Sequence, residues 1–378
     1  MGLHGVSQFL RNKVPHLRYK SHLRTFAHTR VFVDVATYIF KYVVTCGTNG
    51  PGWINQFLLL MQSFRRNQVI VVPVFDGPAP AAKQEEQQSR REARNKTRDH
   101  IAEVEQAIAK YREGDTSGTS IINAELEVIT RKGMVSRDLL SRSSETSPTE
   151  VKERITPNEL NDVEAWLEQL KKQVSFLDKE DYAYLERLLT ACGISWLKSP
   201  GEAEAYCSYL VRHGFGQAVV SFDTDCIAHR ADIIIFEVDK TTDAITYVNT
   251  QELLDEWGLT EQQLVDFGIL VGCDYNPGCR KNKIGPVKAV KLLSQYKTIE
   301  KIPDLIDYEG LKANECRELF NIPYHTDEEL AQFSVPHFVP HIDTALIIAK
   351  ERNVSTGLVK QLIATNTNKR DVLVVDQD

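Results

Sequence analysis

Four short runs rich in β-branched and aromatic residues stand out along the chain, each bounded by polar or turn-forming residues. They are Val31–Val33, Val69–Phe75, Ala218–Phe222 and Ile233–Phe236. Helical patterns separate the first three runs, and apolar strands that alternate with helices predict a mostly parallel sheet covered by helices on both faces. The fold class that follows is α/β.

Two further patterns surround these strands. Residues Ile233–Val238 and Ala244–Val248 are split by a polar Asp-Lys-Thr-Thr-Asp turn, which predicts a hairpin at the edge of the sheet. We interpret residues 83–180 as an insertion between strands that is helical at both ends, up to about Glu113 and again from Leu160 to Leu189. Within it, residues 141–150 predict an exposed, mobile loop.

The charge of the chain is unevenly distributed. The net charge is −7, yet the first 75 residues contain nine Lys or Arg and a single acid, Asp34. A second acid-free stretch, Arg280–Lys297, contains six basic residues. These two segments can contact the phosphates of a nucleic acid.

Other composition features exclude several classes of protein. The seven cysteines and ten histidines are dispersed, which indicates free thiols and no zinc site; Cys273 and Cys279 flank a turn. No run is apolar and long enough for a signal peptide or a membrane span. We therefore expect an intracellular protein without a membrane partner.

Acidic residues follow three of the strand-like runs. Asp34 ends the first, Asp76 follows the second, and Asp223 and Asp225 follow the third. The carboxyl ends of parallel strands converge on one crevice, where ligands bind, and extended backbone would point Asp223 and Asp225 to the same face. Asp is also a common turn residue, but Asp34 and Asp76 are the only acids in the first 84 residues.

Three more acids are candidates for the same crevice. Ser199-Pro-Gly-Glu-Ala-Glu matches a capping box in which Ser199 and Glu202 begin a helix. That interpretation leaves Glu204 unexplained, because it lies about 200° around the helix from Glu202. The two acids could instead face a cation. Asp274 follows the helical run Gln262–Val271.

A cluster of carboxylates suits the hydrolysis of a phosphodiester. The reaction needs an activated water and stabilisation of charge on the attacking and leaving oxygens, which two divalent cations about 3.5–4 Å apart can supply. Mg²⁺ prefers hard oxygen ligands such as Asp and Glu. Without metal, clustered carboxylates would repel one another and raise one another's pKa.

The order and spacing of these motifs resemble the flap endonuclease/XPG family of structure-specific 5′ nucleases. The motifs are Met1-Gly-Leu-His-Gly, Val33-Asp34-Val-Ala, Val74-Phe-Asp76-Gly-Pro, Gly201-Glu202-Ala-Glu204-Ala, Asp223-x-Asp225-Cys, Gly272-Cys-Asp274-Tyr and Lys283-Ile-Gly-Pro-Val-Lys-Ala-Val. The resemblance implies a PIN-like α/β core, a helical arch insertion and a helix–two-turn–helix DNA-binding element. It also implies cleavage of DNA where a duplex meets a 5′ single strand, during replication, repair or recombination.

The resemblance implies roles for the acids and for two basic residues. Seven acids would hold two Mg²⁺ ions, which Mn²⁺ could replace, beside the scissile phosphate: Asp34, Asp76, Glu202, Glu204, Asp223, Asp225 and Asp274. Lys83 and Arg90 lie seven and fourteen residues after Asp76. At those offsets the family has a Lys and an Arg that stabilise charge on the reacting phosphate. A solvated helix face is the alternative for both residues.

The resemblance also implies six DNA contacts: Gly2, Phe40, Lys283, Gly285, Lys288 and Lys291. Gly2 would approach DNA as a bare glycine, with a disordered terminus as the alternative. Phe40 would stack on a base, with an ordinary core position as the alternative. The segment around Gly285 would bind duplex phosphates, in the family often together with a monovalent cation such as K⁺. Lys283 stands where the family usually has Gly.

We expect five regions along the chain. They are an N-terminal nuclease region (1–110), an arch insertion (111–180), an internal nuclease region (181–272), a helix–two-turn–helix region (273–325) and a C-terminal tail (326–378). The expected partner is branched or 5′-flap DNA, bound by a monomer in the nucleus, or in the host nucleus for a viral protein. The tail shows no recognisable sliding-clamp peptide.

Other functions remain open at this point. A 5′→3′ exonuclease or a Holliday-junction resolvase of the same family would share the catalytic centre, and product lengths on flap, nicked and four-way substrates would separate them. A non-catalytic DNA-binding protein would have no need of the acids together with Lys83 and Arg90. A metal-dependent phosphatase would have no use for Arg280–Lys297, and a phosphomonoester assay would reveal it.

Addition of Mg²⁺ is expected to raise the melting temperature of the protein. The cations would relieve the repulsion between the clustered carboxylates, and a ligand that binds only the folded state stabilises it. The measurement is a thermal melt across a Mg²⁺ titration, with NaCl at matched ionic strength as the control. An unchanged melting temperature would contradict the metal site.

Overall fold

The computed structural model describes residues 2–133, 154–277, 284–303 and 308–365. The loop expected at residues 141–150, Cys279, Lys283 and the end of the tail lie outside these residues. The chain divides into two compact units, each described by itself. The first comprises the described parts of Met1–Tyr42, Gly50–Glu86 and Leu177–Asp378, and the second those of Val43–Asn49 and Gln87–Phe176.

A seven-stranded sheet lies at the centre of the first unit, with the strand order β1-β7-β6-β5-β2-β3-β4. The strands are β1 (Tyr19–His22), β2 (Arg30–Asp34), β3 (Ile70–Phe75), β4 (Leu197–Lys198), β5 (Ala218–Val220), β6 (Ile233–Val238) and β7 (Ala244–Asn249). Strands β6, β5, β2, β3 and β4 pair in parallel, whereas β7 pairs antiparallel with β6 and β1. The predicted mostly parallel sheet is confirmed.

The two edges of the sheet differ from the prediction. Strands β6 and β7 form the expected hairpin, but its edge position is wrong, because β1 pairs with the outer side of β7. Strand β1 has the sequence Tyr-Lys-Ser-His, and its residues are alternately half-buried and exposed. At the other edge, β4 has only two residues. Short polar strands are held mainly by backbone hydrogen bonds, so they leave little hydrophobic pattern to detect.

Helices occupy most of the remaining described chain. In chain order they are α1 (Val6–Asn12), α2 (Val35–Cys46), α3 (Gly52–Arg66), α4 (Gln84–Arg112), α5 (Thr119–Arg131), α6 (Pro157–Gln173), α7 (Lys179–Ala191), α8 (Ala203–Arg212), α9 (Asp225–Ala228), α10 (Thr250–Trp257), α11 (Glu261–Val271), α12 (Pro286–Tyr296), α13 (Ala313–Phe320), α14 (Asp327–Gln332), α15 (Ile342–Glu351) and α16 (Thr356–Ala364). Among the helices that the structure describes, none has the length and apolar character to cross a membrane.

Strand alternation places apolar side chains on both faces of the sheet. Phe32 and Val219 share one buried core with Leu210 of α8. Trp53 and Phe57 of α3 are buried outside this core, and α3 contacts β3. Helices therefore cover both faces, and a ligand would approach the sheet at the ends of its strands.

The second unit has a core of its own, formed by α4, α5 and α6. Val104, Ile122 and Val163 are fully buried in it. The helical pattern from Leu160 to Leu189 is split into α6 and α7, because Asp178 begins α7 with a capping box.

A close backbone contact positions the residue after β3. The Gly77 N–H donates to the Gly201 carbonyl at 2.7 Å. A Cβ atom on Gly77 would lie 2.1 Å from the Ser199 carbonyl oxygen, so only glycine permits this approach. The contact fixes Asp76 against the segment that leads into α8.

The substitution Gly77→Ala is expected to destabilise the protein by about 1–3 kcal/mol, because the backbone must move to admit the methyl group. The control is Gly357→Ala on α16, where the nearest atom to a new Cβ is 3.9 Å away. Alanine favours a helix over glycine, so this control should lose no stability. Urea unfolding measures both variants, and equal midpoints for Gly77→Ala and the parent would contradict the close approach.

Candidate metal centre

Asp34 is the last residue of the interior strand β2, and its side chain is buried. The Ser221 hydroxyl donates to its Oδ2 at 2.9 Å, and the Thr37 backbone N–H donates to its Oδ1 at 3.3 Å. Burial, followed by the nearby charge of Asp76, raises the pKa of Asp34 to about 7. Its carboxylate is therefore costly to ionise unless a cation is close.

Asp76 holds the first turn of α8. Its Oδ1 accepts the Ala203 backbone N–H at 2.8 Å. Glu202 is the N-cap residue of α8, and its own side chain makes no capping hydrogen bond. The capping-box interpretation is therefore wrong: the Ser199 hydroxyl donates to the Glu202 carbonyl at 3.0 Å. The Glu202 carboxylate instead accepts from the Tyr275 hydroxyl and contacts Lys83.

Three carboxylates converge more tightly than the others. One oxygen each from Glu204, Asp223 and Asp225 lies within 4.8 Å of the other two, and all three residues are buried. Burial and then a neighbouring acid raise the pKa of Glu204 and of Asp225 well above the ordinary range. Oδ1 of Asp225 is buried and has no hydrogen-bond partner among the described residues. An unsatisfied buried acceptor in an acidic cluster indicates a cation ligand.

Asp223 and Asp225 reach this arrangement by a route that the sequence did not predict. Strand β5 ends at Val220, Thr224 has helical backbone angles, and Asp225 begins α9. The Asp225 backbone N–H donates to Asp223 Oδ1 at 2.9 Å. The expectation of extended backbone is wrong, and a tight turn brings the two carboxylates together.

Lys83 is a positively charged residue of the cluster. It lies in a 3-10 turn, Ala81–Lys83, and its Nζ contacts Glu202, Asp274 Oδ2 at 3.1 Å and Glu204 Oε1 at 3.6 Å. Burial opposes its charge, but the carboxylates of Glu204, Glu202 and Asp274 outweigh burial and raise the pKa of Lys83. Lys83 therefore stays charged and offsets part of the negative charge of the cluster.

Gly2 also lies at the cluster. Its φ is +82°, and a Cβ atom there would be 2.0 Å from Asp223 Oδ1 and 2.7 Å from the Thr224 nitrogen. The next residues anchor the segment, since the His4 N–H donates to the Gly272 carbonyl at 3.0 Å. Gly2 therefore packs against Asp223.

The other candidate contacts lie on helices. Phe40 of α2 is 49% exposed, so the alternative of an ordinary core residue is wrong. Arg90 lies on α4 within the second unit. Gly285 is the N-cap residue of α12, and a Cβ atom added there would have no described atom within 4 Å. Lys288 and Lys291 are exposed on that helix.

Sequence reasoning missed two residues that shape the cluster. The Ser221 hydroxyl donates to Asp34 and also accepts the Asp223 N–H at 3.0 Å. The Tyr275 hydroxyl donates to Glu202 Oε2 at 2.7 Å. Ser221 is the one polar residue in the run Ala218–Phe222, and that interruption of an apolar strand was the available signal.

The donors of the cluster fit a hard divalent cation. They are carboxylate oxygens, the ligand type that Mg²⁺, Mn²⁺ and Ca²⁺ prefer. The neighbouring Cys207 and Cys226 are buried, and burial raises the pKa of both thiols well above the usual range. All six described cysteines are free. The thiols are therefore neutral, and the oxygens alone suit a metal.

Two family models match the chain. The XPG N-terminal domain matches residues 1–97, and the XPG I-region matches residues 193–274. Between them, these matches contain all seven acids, together with Lys83 and Arg90. The family models thus cover the polypeptide that forms the acidic cluster.

Individual proteins resemble the chain over most of its length. A probable RAD2-like endonuclease of Invertebrate iridescent virus 6 is 24% identical over 81% of this chain and 74% of its own length. A flap endonuclease 1 of Candida glabrata is 24% identical over 87% of this chain and 74% of its own. The solved catalytic core of Rad2 in complex with a DNA substrate superposes with a TM-score of 0.59 at 14% identity, covering 96% of this chain and 99% of that one. That superposition shows a shared fold.

The metal-free protein is expected to lose stability as the pH rises. Asp34 has its pKa raised from 3.8 to about 7 in the folded state, so between those values the folded protein holds a proton that the unfolded chain has lost. Unfolding free energy then falls with rising pH across that window. Melting temperatures in EDTA from about pH 5 to pH 8 test this. Asp34→Asn should flatten the slope, and an equal slope in both proteins would contradict the assignment.

Proposed function

We propose that this chain, which matches the XPG N-terminal domain and the XPG I-region, hydrolyses DNA phosphodiesters where a duplex meets a 5′ single strand. The observation that supports this most strongly is the convergence of Glu204, Asp223 and Asp225, with the unpartnered oxygen of Asp225 among them. Buried acids without a cation would only destabilise the fold. In a metal-dependent hydrolase the same acids would serve as metal ligands.

The acids would hold two Mg²⁺ ions, or Mn²⁺ in their place. The proposed ligands are Asp34, Asp76, Glu202, Glu204, Asp223, Asp225 and Asp274. When bound, such ions activate a water and stabilise charge on the attacking and leaving oxygens of the phosphodiester. Ser221 and Tyr275 orient the acids by donating to Asp34 and Glu202, as partners of metal ligands commonly do.

Lys83 and Arg90 are the proposed phosphate contacts. Lys83 contacts three of the acids. Its ammonium group would pair with the scissile phosphate and stabilise the charge that develops there. Arg90, on α4, is the second proposed phosphate contact.

The proposed DNA contacts extend from the cluster to α12. Phe40 would stack on a base beside the cut, since its ring is half exposed. Gly285, Lys288, Lys291 and, outside the described residues, Lys283 would bind duplex phosphates without sequence preference, together with a K⁺ ion. Gly2 would keep the approach to the cut free of a side chain. Recognition would then depend on DNA shape and bending.

The proposed partner is branched or 5′-flap DNA, and the proposed site of action is the nucleus, during replication, repair or recombination. The relatives named as flap endonuclease and RAD2-like endonuclease support this assignment. The protein is proposed to act as a monomer.

Purified protein is expected to cut a 5′-flap duplex near the junction in Mg²⁺ and to leave it intact in EDTA. Asp223→Asn should lower the rate by at least about 100-fold, because the cluster would lose a metal ligand. Asp255→Asn, at an exposed position of α10, is the matched control and should cut at the parental rate.

A duplex labelled at either 5′ or 3′ end reports the product length on a denaturing gel. Nicked and four-way substrates run in parallel identify an exonuclease or a junction resolvase by their products. Mg²⁺-dependent cleavage that survives Asp223→Asn would refute the proposed catalytic centre.

A further inference from the structure

The side of α8 opposite Glu204, which we call its outer side, carries a group of aromatic residues that the proposed function does not use. We call it the aromatic clamp: Tyr206 and Tyr209 of α8 with Tyr324 and His325, which follow α13. The Tyr206 hydroxyl and His325 Nε2 are 2.7 Å apart, within one hydrogen bond. The Tyr324 ring meets the rings of Tyr206 and Tyr209 edge-on, with centroids 5.2 and 5.4 Å away.

Further contacts hold the residues of the clamp together. The Tyr209 hydroxyl donates to the His325 carbonyl at 3.3 Å, and the His325 ring packs against Phe333. Tyr206 and Tyr209 are buried. The Tyr206 hydroxyl can donate to a His325 Nε2 that carries no proton, and it can accept from one that does. Aromatic pairs and a buried hydrogen bond hold the segment after α13 against the helix.

The clamp acts on the turn of α8 that bears two acids of the cluster. Tyr206 is two residues beyond Glu204, and its backbone N–H donates to the Glu202 carbonyl at 3.1 Å. Tyr324 lies against the preceding loop, since a Cβ atom on Gly201 would be 3.4 Å from the Tyr324 hydroxyl. The start of α8 is thus held on its outer side by the clamp and at its first backbone N–H by Asp76.

Repulsion between carboxylates and the contacts of the clamp act on α8 in opposite directions. Burial and then the charge of Glu202 raise the pKa of Glu204, Lys83 opposes them, and Asp34 and Asp223 add smaller contributions. The repulsion between Glu204 and Asp223 opposes the close approach of α8 to the turn at Asp223–Asp225. A contact on the outer side of the helix resists displacement away from that turn. Without it, the helix could relax outward and widen the spacing of the carboxylates before any cation binds.

We propose that the hydrogen bond between Tyr206 and His325 is a positioning contact that sets the spacing of Glu202 and Glu204 and thereby the affinity of the cluster for divalent cations. The inference rests on the proposed function only in that it requires the acids to bind metal. Tyr324 and His325 lie outside both ranges matched by the family models. The clamp joins this later segment to α8, which lies within the I-region.

The test measures Mn²⁺ binding in the absence of DNA, by titration calorimetry on the full chain. Tyr206→Phe keeps the ring and removes the hydroxyl, and it should weaken Mn²⁺ binding by about 10-fold, the usual cost of losing a partner that orients metal ligands. His325→Ala should weaken binding to the same extent, and the double variant no further. His325→Gln retains a side-chain acceptor for the Tyr206 hydroxyl and should restore most of the affinity.

Tyr184→Phe provides a matched structural control. The Tyr184 hydroxyl donates to the Ile348 carbonyl at 2.9 Å and ties α7 to α15, also through a buried tyrosine. This variant should lower the melting temperature without changing Mn²⁺ affinity. If Tyr206→Phe behaves in the same way, the clamp is only structural and the proposal is overturned.

A second readout separates this proposal from the proposed function. At saturating Mn²⁺, Tyr206→Phe should cut a 5′-flap duplex with a near-parental kcat and KM, and the defect should appear only at limiting metal. A loss of kcat that saturating metal does not restore would overturn the positioning role. Because binding is measured without DNA, the two proposals can fail separately. A parental protein that binds Mn²⁺ but cuts no DNA would refute the nuclease activity and leave the positioning role standing.

Discussion

Repulsion between buried carboxylates is the constraint on which the rest of the structure depends. Asp34 and Asp76 lie at the carboxyl ends of the neighbouring parallel strands β2 and β3, and the turn after β5 adds Asp223 and Asp225. Burial raises the pKa of all four, and their mutual charge adds to the effect for several of them. The fold tolerates this arrangement because partners on every side offset part of the charge.

Those partners are of three kinds. Lys83 supplies a positive charge, Ser221 and Tyr275 donate hydroxyl hydrogen bonds, and the start of α8 supplies a backbone N–H to Asp76. None of them satisfies Asp225 Oδ1. The residual negative charge and the open acceptor are what a hard cation would neutralise, so the same repulsion that strains the metal-free protein gives the cluster its affinity for metal.

Close backbone packing is the second requirement, because charges can only be concentrated where the chain segments approach one another. Gly77 brings the end of β3 against the loop before α8, and Gly2 packs beside Asp223. On the outer side of α8, Tyr206 and His325 complete the support. The aromatic rings thus pack on the side of α8 away from the acids. Glycines lie beside the acids themselves, where a side chain would occupy the same space.

The sequence by itself determined the main strands, the acids at their ends and Lys83, because each leaves a local signal in hydrophobicity, spacing or motif. Only the tertiary structure decided that Asp76 accepts the Ala203 N–H at the start of α8, that β1 pairs with β7, and that Tyr206 meets His325. These contacts join residues far apart in the chain. A local pattern reports which residues are buried, but the hydrogen-bond partner of a buried polar group is chosen by packing in three dimensions.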